Sequence, residues 1–181
     1  DPAGHGLTGR GIVICDIDAP PDIFHPMFFK ADRGRFAWID GDGDGQWSPG
    51  DAVDINSNGL AGPGESLAWL PYQGDTLPGL DRSRFQAGYD FLFQDANGNG
   101  IRDFGPLAFS EADPCYGEGI FLVDDVDGNT QLDVEESLIG LKTSKIRAIY
   151  SQHVYRRGVD LIRFPQFLLG GETHGTLVSG V

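Results

Sequence analysis

The chain has 181 residues, 40% of them apolar and 27 of them glycine, and a net charge of −14 from 13 basic and 27 acidic side chains. That length holds one ordinary core, or a small core with an inserted module, and the glycine content points to a loop-rich fold. The charge argues against nucleic acid and anionic membranes as partners, since both need a basic face; no stretch nears the roughly 18 apolar residues of a membrane span, and cations are the natural partners.

In chain order, residues 1–10 read as a loop. Gly11 to Ile17 is a β-branched apolar run that stops at Asp18-Ala19-Pro20-Pro21, a pattern that predicts a buried strand with a hard stop. Its continuous apolar character, without alternation, fits a parallel sheet covered on both faces. From Trp38 to Leu141 glycine, aspartate and asparagine dominate, broken by short apolar pieces such as Phe91-Leu92-Phe93 and Ile120-Phe121-Leu122-Val123; this stretch is the candidate insertion. Ser144 to Tyr150 predicts a second strand, and Gln152 to Leu169 is ambiguous. Thr173 is a candidate N-cap that places His174 in the first turn of a terminal helix. No signal peptide is present, so the numbering is expected to start on a mature or trimmed chain. Cys15 lies in the apolar run and reads as a buried thiol; Cys115 lies in a turn-rich segment, and a disulfide between them stays open.

Within the candidate insertion one short loop pattern recurs four times. A calcium loop of the EF-hand type places oxygen ligands at positions 1, 3, 5, 9 and 12, with glycine at 6 for the sharp turn. The first loop offers Asp40, Asp42, Asp44, Ser48 and Asp51 with Gly45; the second offers Asp54, Asn56, Asn58 and Glu65 with Gly59. The third offers Asp95, Asn97, Asn99 and Asp103 with Gly100, but Pro106 stands at its twelfth position. The fourth offers Asp125, Asp127, Asn129, Asp133 and Glu136, with Thr130 in place of the glycine. Alternate side-chain oxygens turned inward suit calcium, which takes six to eight hard oxygen ligands. One ion per loop would move the net charge from −14 to −6. Only Ala52 and Val53 separate the first two loops, and Pro49 and Pro63 argue against helices beside them, so a compact loop module pinned by ions is expected in place of helix-loop-helix pairs. Calcium is then a structural cofactor, and a compartment outside the cell would saturate even weak sites.

Two further segments carry a family resemblance. Gly11-Ile12-Val13-Ile14-Cys15-Asp16-Ile17-Asp18, with His25-Pro26 after it, and His174-Gly175-Thr176-Leu177-Val178-Ser179-Gly180 resemble the aspartate and histidine segments of subtilisin-like serine proteases. Asp16 would share a strand face with Asp18, and the distance to His25-Pro26 favours Asp18. The aspartate-before-histidine order also fits the family, whose serine comes last. The matched segments are 8–27, 144–150 and 172–181. The resemblance implies an α/β fold, a partial parallel-sheet domain interrupted by the calcium-loop insertion, divided as 1–37, 38–142 and 143–181. It implies that Asp18 orients His174, that His174 acts as general base, and that the substrate is a polypeptide. The Asp18-to-His174 separation of 156 residues departs from the family's short connection and is explained by the insertion. No Gly-Thr-Ser-x-Ala-x-Pro segment and no oxyanion asparagine region are present, so this chain alone is expected to be inactive and to need the remainder of the protease domain as its partner. The alternative is a pseudoprotease, or a calcium-dependent binding or adhesive module on a protease-like scaffold.

The other candidates have plainer readings. His5, His25 and His153 are not spaced as a zinc set. Trp38, Trp47 and Trp69 flank the first two loops and are expected to pack there. Lys142, Lys145, Arg147, Arg156 and Arg157 are expected to form a solvated basic surface.

Overall fold

A computed structural model describes residues 25–71, 83–103, 117–151 and 154–157. Its strands are short: β1 (Gly34–Phe36), β2 (Trp38–Ile39), β3 (Ala52–Val53), β4 (Leu67–Leu70), β5 (Phe91–Gln94), β6 (Ile120–Val123), β7 (Leu138–Leu141), β8 (Ala148–Ser151) and β9 (Val154–Arg157). Five of them form a sheet in the order β1-β7-β6-β5-β4, and every neighbouring pair is antiparallel. β2 and β3 make an antiparallel ribbon that touches the sheet through an Ala52–Ser66 bridge.

This overturns the expected α/β parallel-sheet fold. The described residues contain no α-helix, only one 3-10 turn at Pro26–Phe28, and no parallel strand pair. The second predicted strand is present as β8, but it pairs antiparallel with β9, Tyr150 opposite Tyr155, and joins no parallel sheet. The physical reason lies in what a continuous apolar run reports. β6 is apolar at every residue because both faces of its sheet are covered, and coverage does not fix strand direction. Antiparallel strands also need only a loop between them, whereas parallel ones need a crossover of a dozen or more residues.

The stretch expected as a compact loop module carries a sheet and a core of its own. Along β4, β5, β6 and β7 the side chains alternate between two clusters. One face gathers Leu67, Leu92, Phe121, Val123 and Leu138 with Val53, Ala87 and Leu132, and Trp38, Trp47, Trp69 and Phe85 pack against it. The other face gathers Phe93, Ile120 and Leu141 with Phe29. Register makes this exact in space: Leu92 stands opposite Phe121, and Phe93 opposite Ile120, which in turn faces Leu141. Gly140 lies opposite Phe121 and leaves room for β1's neighbours, since a Cβ there would stand 2.8 Å from both the Phe36 ring and the Arg33 Cβ. The Phe36 ring instead meets Phe121 edge-on at 5.5 Å.

The two ends of this unit lie side by side. Lys30 N–H donates to the Thr143 carbonyl (2.8 Å), Lys142 N–H to the Lys30 carbonyl (3.0 Å) and Lys145 N–H to the Phe28 carbonyl (2.6 Å). His25 is buried and caps the 3-10 turn, its Nδ1 accepting the Met27 N–H at 3.2 Å, with its ring edge toward Phe91.

Candidate metal centres

The four acidic loops are the connections of this fold. Asp40 follows β2, Asp54 follows β3, Asp95 follows β5, and Asp125 lies just past β6. Strands, not helices, flank them. Each loop begins with the same pattern of hydrogen bonds. The first aspartate accepts the sixth residue's N–H: Gly45 to Asp40 at 2.8 Å, Gly59 to Asp54 at 3.0 Å, Gly100 to Asp95 at 2.8 Å and Thr130 to Asp125 at 3.1 Å. The third residue accepts from the fifth, as Asp44 N–H does to Asp42 and Asn129 N–H to Asp127. The fifth accepts from the seventh, as Gln46 N–H does to Asp44 and Gln131 N–H to Asn129. These bonds turn successive carboxylates and amides toward the inside of each loop.

Such a turn needs two left-handed residues, and sequence reading expects only the one at the sixth position. Gly45, Gly59 and Gly100 are left-handed there, but so are Gly43, Ser57, Gly98 and Gly128 at the fourth. Thr130 takes φ +66° at the sixth position of the last loop, a conformation that a β-branched residue adopts only under constraint.

A buried acid closes each loop. Asp51 accepts from Gly41 N–H at 2.8 Å and Ser48 N–H at 2.6 Å, the second and ninth residues of its loop. Glu65 accepts from the Asn56 amide at 2.9 Å and the Gly62 N–H at 2.8 Å. In the third loop, where Pro106 holds the twelfth position, Glu118 takes this place from the far side of the chain. It accepts from Ala96 N–H at 2.7 Å and Asp103 N–H at 2.8 Å, again the second and ninth residues. Sequence spacing misses Glu118. The signal that finds it is an acid two residues ahead of an apolar strand, where Glu65 precedes β4 and Glu136 precedes β7.

Glu136 breaks the pattern. Its Oε1 accepts the Val126 N–H at 2.7 Å, but Oε2 is buried with no hydrogen-bond partner, in a residue only 8% exposed. It is the one charged group among the described residues left so. An orphaned buried carboxylate oxygen is costly unless something positive completes it. Ligand oxygens of Asp125, Asp127 and Glu136 lie within 4.8 Å of one another, as do those of Asp40, Asp42 and Asp44. The second and third loops put asparagines at two of these positions. There the amides donate to the acids, Asn97 to Asp103 at 2.7 Å and Asn56 to Glu65.

Burial pushes the Glu118 carboxyl above its ordinary value, and the charges of Asp103 and Asp95 add to the push against two backbone hydrogen bonds. Burial does the same to Glu136, with Asp133 and Asp125 adding. Asp40 is held below the ordinary range, chiefly by the Gly45 N–H. The donor set is oxygen throughout, without thiolate or imidazole, and so fits a hard cation such as calcium in preference to zinc.

All the predicted metal-ligating residues are described. Asp18, His174, Cys15, Cys115, His5 and His153 lie outside the described residues.

Comparison with known proteins finds no match among family models, curated proteins or solved structures. No helix among the described residues is long and apolar enough to cross a membrane. The tryptophans that flank the loops are partly buried against the core, and Trp38 Nε1 donates to the Asp133 carbonyl at 3.0 Å. Lys145 donates to the Met27 carbonyl from an exposed position.

Proposed function

We propose that the acidic loops bind calcium to hold a β module together, and that this module is carried by a secreted serine endopeptidase of the subtilisin-like kind, of which this chain is part. The observation that carries the calcium reading is the repeated closure of the loops by a buried acid, with Glu136 Oε2 lacking any other partner. Asp40, Asp42, Asp44 and Asp51 would hold one ion, and Asp125, Asp127, Asn129, Asp133 and Glu136 another. The loops with asparagines, the third completed by Glu118, carry less charge. The ion's chemistry there is neutralisation of clustered carboxylates, which favours the folded state.

The endopeptidase reading is supported by sequence: the Asp18 and His174 segments, in the family's order, flank the module. In this reading Asp18 orients the His174 imidazole, and His174 takes and returns the nucleophile's proton. The nucleophilic serine and the oxyanion donors come from protein outside this sequence. The antiparallel sheet belongs to the module, not to the catalytic machinery. Pairing of Lys30 with Thr143 helps this arrangement, because a unit whose ends meet can be inserted without forcing its flanking segments apart.

Calorimetric titration of chelator-treated protein is expected to show at least two bound calcium ions; absence of any binding heat or stoichiometry overturns the calcium reading. A fluorophosphonate probe is expected to label the full-length protein, with labelling lost on Asp18→Ala or His174→Ala. Calcium binding without labelling favours the non-catalytic, calcium-dependent binding module.

A further inference from the structure

We propose that the first and fourth loops are one coupled pair of ion sites, in which the ion closed by Glu136 sets the affinity of the first loop. This rests on the calcium reading and adds to it an order and a route of communication.

The fourth loop leads because of its closing acid. In the other three loops both oxygens of that acid are taken by donors of their own loop, one of them the ninth residue's N–H: Ser48, Gly62 or Asp103. Glu136 Oε2 has no such donor, although the residue is more than nine-tenths buried and its carboxylate converges with those of Asp125 and Asp127. A divalent cation among these three groups supplies the missing partner.

The ninth residue of the fourth loop, Asp133, lies against the first loop. Its carbonyl accepts from Glu136 N–H at 3.0 Å and from Trp38 Nε1 at 3.0 Å, and Asp133 pairs with Gln46 of the first loop in an antiparallel bridge. Beside that bridge Trp47 N–H donates to the Leu132 carbonyl at 2.9 Å, which joins the eighth residues of the two loops. Gln46 N–H in turn holds the Asp44 carboxylate at 2.8 Å. A path therefore runs by hydrogen bond from Glu136 to Asp133, across the bridge that the Trp47–Leu132 bond holds, to Gln46, and by hydrogen bond from Gln46 to Asp44. An ion that fixes Glu136 fixes Asp133, and with it the turn that presents Asp44. The first loop then meets its ion already ordered, and thermodynamic reciprocity requires its ion to favour the fourth loop by the same factor.

The test is a calcium titration of the full chain by NMR. It follows the Gly45 and Thr130 amides, each of which donates to the first aspartate of its own loop. Glu136→Gln is expected to weaken binding reported at Thr130, and also to weaken binding reported at Gly45 by about tenfold, within the range of ordinary coupling. Asp127→Asn changes a ligand of the fourth loop alone; it is expected to weaken the Gly45 response as well as the Thr130 response while leaving binding at the first loop measurable. If Glu136→Gln moves only the Thr130 curve, the sites are independent and the coupling is overturned, with calcium binding intact. If neither amide responds in the unaltered chain, the calcium reading itself fails. Should Glu136→Gln not fold, Asp127→Asn, which changes a ligand of the fourth loop alone, decides: an unchanged Gly45 midpoint overturns the coupling, and a weakened one supports it.

Discussion

Thr130 is the residue at which the fourth loop departs most from its siblings. Its φ of +66° is left-handed, as at Gly45, Gly59 and Gly100, yet its side chain is β-branched. A left-handed L-residue costs roughly 1–2 kcal/mol, so Thr130→Gly is expected to stabilise the protein by about 1 kcal/mol once glycine's larger unfolded-state entropy is set against it. A thermal melt in calcium checks this; an unchanged or lowered midpoint would mean that the loop is not held in this turn. Glu118 and Glu136 make a pH test. Their carboxyls sit above the ordinary value of 4.5 in the folded chain without an ion, so the folded state binds more protons than the unfolded one from about that pH upward. Stability contributed by these groups is present below 4.5 and is lost as pH rises through the raised values. In chelator the melting temperature is expected to fall between mildly acidic and neutral pH, and calcium is expected to reverse that slope. Glu118 also marks the limit of reading spacing alone. The recurring acids and amides of each loop are legible in sequence because they are local, whereas Glu118 reaches the third loop only through the pairing of β5 with β6.

At the scale of the elements, the strands depend on what stands opposite them. Gly140 lies under Phe36 and Arg33, and a methyl group there would press on both at 2.8 Å. Gly140→Ala is expected to cost about 1–3 kcal/mol, the usual range for overpacking, measured as a lower denaturant midpoint with unchanged slope. Phe121→Ala, which empties a fully buried position between Leu92 and Gly140, is expected to cost about 3–5 kcal/mol. The apolar pieces at Phe91 and Ile120 are visible in the sequence and become β5 and β6. Their direction is not visible, because an apolar run reports two covered faces and nothing about the neighbour's polarity. β1, β2 and β3 are two or three residues long, too short to show any period, and the partner of β1 comes from a distant part of the chain.

On the scale of the whole molecule, a chain with a net charge of −14 concentrates much of that charge in the four loops that connect its strands. The core draws these loops inward: Val53 and Leu132 belong to the same cluster as Leu92 and Phe121, so the acidic loops and the sheet form one unit. On the proposed calcium reading, loss of the ions should therefore loosen the sheet and not the loops alone. A site held at a hundred times its dissociation constant adds about 2.7 kcal/mol, and each kcal/mol moves the midpoint of a domain this size by several degrees. The most direct measurement is the melting transition of the chain in excess chelator and again after calcium is restored, read by the near-ultraviolet signal of Trp38, Trp47 and Trp69. Two filled sites predict a reversible rise of more than about 10 °C on adding calcium; identical transitions in chelator and in millimolar calcium would contradict the account.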